Sequence, residues 1–98
     1  YISGGENVYP AEVERVLTSH EAVLEAVVVG VDDATWGEVG HAFLLPLPGH
    51  SIDPEALRSW CRERLAAYKV PKQVTVVDDF PRTAAGKVQK HVLRKGLA

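Results

Sequence analysis

The chain has one cysteine, Cys61, and no methionine. A single thiol cannot form an internal disulfide, so a stapled secreted scaffold is excluded and a reducing, cytoplasmic setting is expected. No apolar run approaches the roughly 18–20 residues that span a bilayer, and no signal-peptide pattern opens the chain. The lack of methionine and the start at Tyr1 lead us to expect a piece of something longer. The four histidines, His20, His41, His50 and His91, show no ligand spacing with one another or with Cys61, so no metal site is expected. Aromatic residues are sparse, and none follows Phe80 to stack on bases beside the basic tail, which argues against nucleic acid as a partner.

What is present suits one small domain: 98 residues, 46% of them hydrophobic, enough for a modest core. The net charge of −2 conceals an asymmetry. Residues 1–57 carry Arg15 as their only base against ten acids, whereas residues 58–98 carry ten bases against Glu63, Asp78 and Asp79. A basic half suits an anionic partner such as a nucleotide or coenzyme, and equally a dipolar solvated surface.

Local signals divide the chain cleanly. Two glycines and Asn7 mark a tight loop after Tyr1–Ser3, and Pro10 suits the first position of a helix, since its missing N–H is not needed there. Val13, Val16 and Leu17 form an apolar stripe, predicting a helix over about 10–19. The β-branched run 23–31 predicts an interior strand covered on both faces, and 38–45 a second strand paired with it. Asp53 and Pro54 open another helix, whose stripe of Leu57, Trp60, Cys61, Leu65 and Tyr68 is assigned to the core. Residues 73–77 alternate as a strand, and Val88, Val92 and Leu93 predict a last helix from about 87 to 95. The order loop–α–β–β–α–β–α defines an α+β domain with helices packed on a small sheet.

The segment Pro81-Arg82-Thr83-Ala84-Ala85-Gly86-Lys87 is the one that looks built for chemistry. A glycine-bearing turn would deliver Lys87 at a helix start, where the positive end of the dipole favours anions. Two readings stand here: a lysine for phosphate or carboxylate, or an ordinary solvated lysine. A phosphate loop is excluded, because it needs glycine where Pro81 stands and Ser or Thr where Val88 stands. Ser3 lies outside any nucleophile-elbow pattern, so hydrolase chemistry has no support.

Two motifs about 80 residues apart then combine. Ser3-Gly4-Gly5-Glu6-Asn7-Val8-Tyr9-Pro10-Ala11-Glu12-Val13-Glu14 resembles the opening of the small C-terminal domain of adenylate-forming enzymes, the superfamily of acyl-CoA synthetases, peptide-synthetase adenylation domains and luciferases. Tyr68-Lys69-Val70-Pro71 and the segment ending in Lys87 match that family's later motifs in order and spacing, and the resemblance covers essentially the whole chain. It implies an α+β fold of three main strands, short accessory strands and about three helices. It also implies a two-step ligase that joins a carboxylic acid to AMP using ATP and Mg2+, then passes the acyl group to coenzyme A.

By this similarity Lys87 is the catalytic lysine of the first step, and Gly4 and Gly5 flank the pantetheine arm in the second. Trp36 and Tyr68 are candidates to stack on the adenine of coenzyme A, although loop packing for Trp36 and core packing for Tyr68 are equally open. Lys69, Lys72 or Arg64 would meet its phosphates. Val70 departs from the pattern, standing where some relatives carry a basic residue. The partner would be the large N-terminal domain of the same polypeptide, absent from this chain, so the fragment alone is expected to be inactive. Two alternatives stay open: a carrier-protein-dependent adenylation enzyme, and a free-standing anion- or nucleic-acid-binding module. The basic Arg94-Lys95 followed by Gly96-Leu97-Ala98 is read as a chain ending, which favours the ligase.

Overall fold

The computed structural model describes residues 1–96; the expected chain ending at Leu97 and Ala98 lies outside the described residues. Two short strands, β1 (Ile2–Ser3) and β2 (Glu6–Asn7), flank the Gly4-Gly5 turn. Helix α1 (Pro10–Thr18), strands β3 (Val23–Asp33) and β4 (Gly37–Pro46), and helix α2 (Pro54–Arg62) follow. A 3-10 turn (Ala67–Lys69), strand β5 (Gln73–Val76) and helix α3 (Lys90–Lys95) complete the fold. Pro10 occupies the first turn of α1, and Asp53 caps α2 by accepting a hydrogen bond from the Glu55 amide at 3.2 Å.

β4 is the central strand. It pairs antiparallel with β3 along its whole length, parallel with β5 at residues 41–44, and with β1 where Ser3 meets Gly37. The expectation of an interior β3 is therefore corrected: β3 lies at the sheet edge, although both its faces are covered. A valine-rich run reports covered faces and carries no information on which edge is hydrogen-bonded. The open edge is blunted at Val28, whose N–H donates to Glu14 Oε2 at 2.9 Å and whose carbonyl accepts from Lys90 Nζ at 3.2 Å. Glu14 and Lys90 are themselves paired at 3.0 Å, and charged side chains across an edge discourage pairing with another chain.

Alternation along the strands builds two cores. Val28, Ala42 and Leu44 face α1 and α2, where they meet Val8, Val13, Leu17, Leu57, Cys61 and Val70. A register shift between Val23 and Glu25 lets Val23 join the same face. Val27, Val29 and Phe43 face the other way and are covered by Phe80, Val88 and Leu93. The segment carrying Lys87 is thus the roof of the second core.

Two predicted helices are shorter than their apolar spacing suggests. α2 ends at Arg62, and Ala66 adopts an extended conformation (ψ 147°), so Leu65 and Tyr68 lie beyond the helix. That break turns the chain so that Val70 and Pro71 become buried. α3 begins at Lys90 rather than near 87, because Val88 forms a β-bridge with Arg82 instead of a helical turn.

Candidate functional site

Lys87 closes a small hairpin. The Thr83 amide donates to the Lys87 carbonyl at 2.8 Å, the Gly86 amide to the Thr83 carbonyl at 2.8 Å, and the Lys87 amide to Thr83 Oγ1 at 3.2 Å. The Gln89 amide closes the base by donating to Pro81 at 2.8 Å. Gly86 has φ +88°, a left-handed conformation that a side chain disfavours and that reverses the chain immediately before the lysine. Lys87 is exposed, makes no side-chain hydrogen bond among the described residues, and borders a recess of about 440 Å³ lined also by Thr83, Val88, Gln89, Lys90 and His91. The helix-dipole argument for Lys87 is corrected: two residues, Val88 and Gln89, separate it from α3, so turn geometry, not a helix end, presents the ammonium.

The hairpin is tied to the sheet by an ion pair that the sequence did not show. Arg82 holds Glu25 of β3 in a two-pronged ion pair, Nη2 to Oε1 at 2.7 Å and Nη1 to Oε2 at 3.2 Å. That hydrogen-bonded pairing raises the guanidinium above its ordinary pKa. The partners are 57 residues apart, and no local pattern links them; only a chain traced through the β3–β4 hairpin brings them together.

The glycine loop assembles a second locus. Gly4 (φ +59°) donates its amide to the Trp36 carbonyl at 2.8 Å, and a methyl group on Gly4 would lie 3.0 Å from the Trp36 ring. Gly5 (φ +83°) is exposed, with open space where a side chain would stand. Trp36 is half exposed, and Lys72 Nζ lies 5.4 Å from its ring centre. Gly4, Trp36 and Lys72 are thus brought together.

Tyr68 and Lys69 form an adjoining pair. Tyr68 is 38% exposed and outside both cores, which corrects its assignment to the core stripe. Lys69 Nζ lies 5.6 Å from the Tyr68 ring centre and is held by Glu12 at 3.0 and 3.1 Å, a hydrogen bond that raises the lysine's pKa. Glu12 was missed, since one acid in the first turn of a helix has an ordinary electrostatic reason to be there. Arg64 is engaged elsewhere, stacked 4.0 Å over Trp60.

The two loci are anchored at different positions along β3. Arg82 meets β3 at Glu25, and Trp36 lies just past its last residue, Asp33; eight steps of about 3.4 Å along the strand put Glu25 and Asp33 about 27 Å apart. Among the described residues no group of three or more His, Cys, Asp or Glu side chains could hold a metal ion. No described helix is long and apolar enough to cross a membrane.

Fold and sites together define a small α+β domain that displays an exposed lysine and a separate glycine–aromatic loop. Residues 12–87 match the family model of the AMP-binding enzyme C-terminal domain, and the chain belongs to that family. It is 54% identical over 94 residues to 2-succinylbenzoate–CoA ligase of Geobacillus sp. (strain WCH70), covering 96% of this chain and 19% of the relative. Feruloyl-CoA synthase of Amycolatopsis sp. is 50% identical over 94 residues, with the same coverage. Among solved structures, ATP-bound MatB from Rhodopseudomonas palustris superposes with a TM-score of 0.93 at 41% identity, covering 98% of this chain and 19% of that one. The chain therefore spans about a fifth of the length of these relatives.

Proposed function

We propose that this domain works as the mobile C-terminal part of an ATP-dependent acyl-CoA ligase, supplying the lysine of acid activation and one wall of the coenzyme A approach. The supporting observation is Lys87 itself, a cation without an ion-pair partner among the described residues, on a hydrogen-bonded turn within a chain 54% identical to a CoA ligase. In the first step a carboxylate oxygen attacks the α-phosphorus of ATP, an acyl–phosphate bond forms, and pyrophosphate leaves. Both reacting groups are anionic, so an ammonium contacting both lowers their repulsion and fixes their approach. In the second step the thiol sulfur of coenzyme A attacks the acyl carbon and AMP leaves.

The glycine loop suits that second step. Gly5, with no side chain and open space beside it, lets a narrow pantetheine arm run along the backbone, and half-exposed Trp36 with Lys72 offers a ring and a cation to the nucleotide end. The two loci are anchored eight residues apart on β3, at Glu25 and Asp33, and that spacing supports a reading in which a swinging domain brings each to one reaction centre in turn. The relatives' names, which specify CoA as acceptor, support the ligase over a carrier-protein enzyme. The large N-terminal domain of the same polypeptide would hold ATP, Mg2+ and the acid.

Lys87→Ala in the intact enzyme tests this. Pyrophosphate release should fall by about a hundredfold or more, while thioester formation from a supplied acyl-adenylate persists. Equal loss in both half-reactions would overturn the assignment.

A further inference from the structure

We propose that Arg82, gripped by Glu25, is a positioning residue that aims Lys87 for acid activation; this rests on the role proposed for Lys87. Hydrogen bonds within the hairpin fix its internal shape but leave its angle to the sheet undetermined. Arg82 fixes that angle. Its guanidinium takes both carboxylate oxygens of Glu25 on β3, at 2.7 and 3.2 Å. The same group lies 3.5 Å from the carbonyl of Gly86, the residue before Lys87, and 3.5 Å from Asp79 Oδ1. It also lies 5.6 Å from the ring centre of Phe80, which roots the hairpin in the second core. One planar cation therefore links the strand, the root and the residue beside the lysine, a set of contacts that needs the fork of arginine rather than a point charge.

The opposite limb is held three positions along the same strand. Lys90 reaches the Val28 carbonyl at 3.2 Å and Glu14 at 3.0 Å. Both limbs of the hairpin are thus fixed to β3, and the lysine projects between them. Stability alone does not account for the Arg82–Glu25 pair. Phe80 and Val88 already bury the root of the segment, and a partly exposed ion pair adds little to folding. Orientation is different, because a reacting group displaced by about 1 Å can lose about a hundredfold in rate. Arg82 is committed to two acids, so it acts through Lys87 and does not touch the reacting atoms.

The test uses the full-length enzyme carrying this chain, with Arg82→Ala, Arg82→Lys and the near-isosteric Glu25→Gln assayed in the two half-reactions separately. Arg82→Ala and Glu25→Gln should each lower kcat of pyrophosphate release by roughly tenfold to a hundredfold. KM for ATP and acid, thioester formation from supplied acyl-adenylate and the thermal midpoint should stay unchanged. Arg82→Lys should recover part of the loss. Equal losses in both half-reactions, or a loss that tracks a fall in thermal midpoint, would show a merely structural role and overturn the proposal. Lys87→Ala serves as the control. If it abolishes acid activation while Arg82→Ala and Glu25→Gln do not, this inference alone fails; if Lys87→Ala is itself active, the reading of Lys87 fails with it.

Discussion

A methyl group at Gly30 should cost this domain more than its size suggests. Gly30 and Gly40 sit opposite each other on β3 and β4, and the Tyr1 side chain lies across both. A Cβ on Gly30 would stand 2.6 Å from Tyr1 Cβ and 2.8 Å from its Cγ. Carbon atoms rest comfortably at about 3.5–4.0 Å, so the overlap is on the order of 1 Å. Side-chain rotation gives no relief, since Cβ does not move when χ1 turns. The backbone of residue 1 is itself held, donating to the Val8 carbonyl at 3.0 Å and accepting from the Val8 amide at 2.8 Å. Gly30→Ala must therefore displace the β1–β2 hairpin, an overpacking cost of about 1–3 kcal/mol. For a domain this small each kcal/mol lowers the thermal midpoint by about 4–8 °C. Guanidinium denaturation of Gly30→Ala, Tyr1→Gly and the double variant gives the coupling directly. The double variant should recover about 1–3 kcal/mol relative to the sum of the single changes. Wild-type stability for Gly30→Ala, or an equal loss in the Tyr1→Gly background, would refute the reasoning.

The remaining expectations concern the glycine loop and the buried histidine. Gly4→Val combines a φ of +59° with a Cβ 3.0 Å from the Trp36 ring; in the intact enzyme it should slow thioester formation from acyl-adenylate while sparing pyrophosphate release, as single-turnover assays of the two steps would reveal. His41 is 4% exposed, stacked on Phe43 at 4.5 Å and hydrogen-bonded to Thr75 at 2.7 Å. Burial lowers its pKa below the usual 6.5, so its stabilising contribution is present above pH 6.5 and is lost as pH falls through the lower folded value. Denaturation curves should show a loss of stability below pH 6.5 that is smaller in His41→Phe.

How far the sequence could be read depended on the range of the interaction concerned. Helix starts were legible because Pro10, Asp53 and Pro54 act on neighbouring peptide groups. The β3–β4 pair was legible because its valines alternate between two covered faces. Helix ends were not, since apolar spacing runs on through Leu65 and Tyr68 while Ala66 has already turned the backbone. Val88 misled for a similar reason: its side chain is partly buried in the second core from a β-bridge much as it would be from a helix. Lys87 and Gly4-Gly5 were candidates drawn from motifs, whereas Arg82–Glu25, Glu12–Lys69 and Glu14–Lys90 join residues 57, 57 and 76 positions apart and leave no trace in local pattern.

Because Phe80, Val88 and Leu93 roof the second core, the segment that carries Lys87 is made after the strands it covers. A chain still emerging from the ribosome has Val27, Val29 and Phe43 uncovered until that segment follows, and a protease cut before Phe80 leaves the same face bare. Closure of the second core and presentation of Lys87 therefore depend on the same residues. A molecule whose second core is closed has its lysine mounted, and one that has lost the lysine segment exposes the apolar surface that chaperones and proteases recognise.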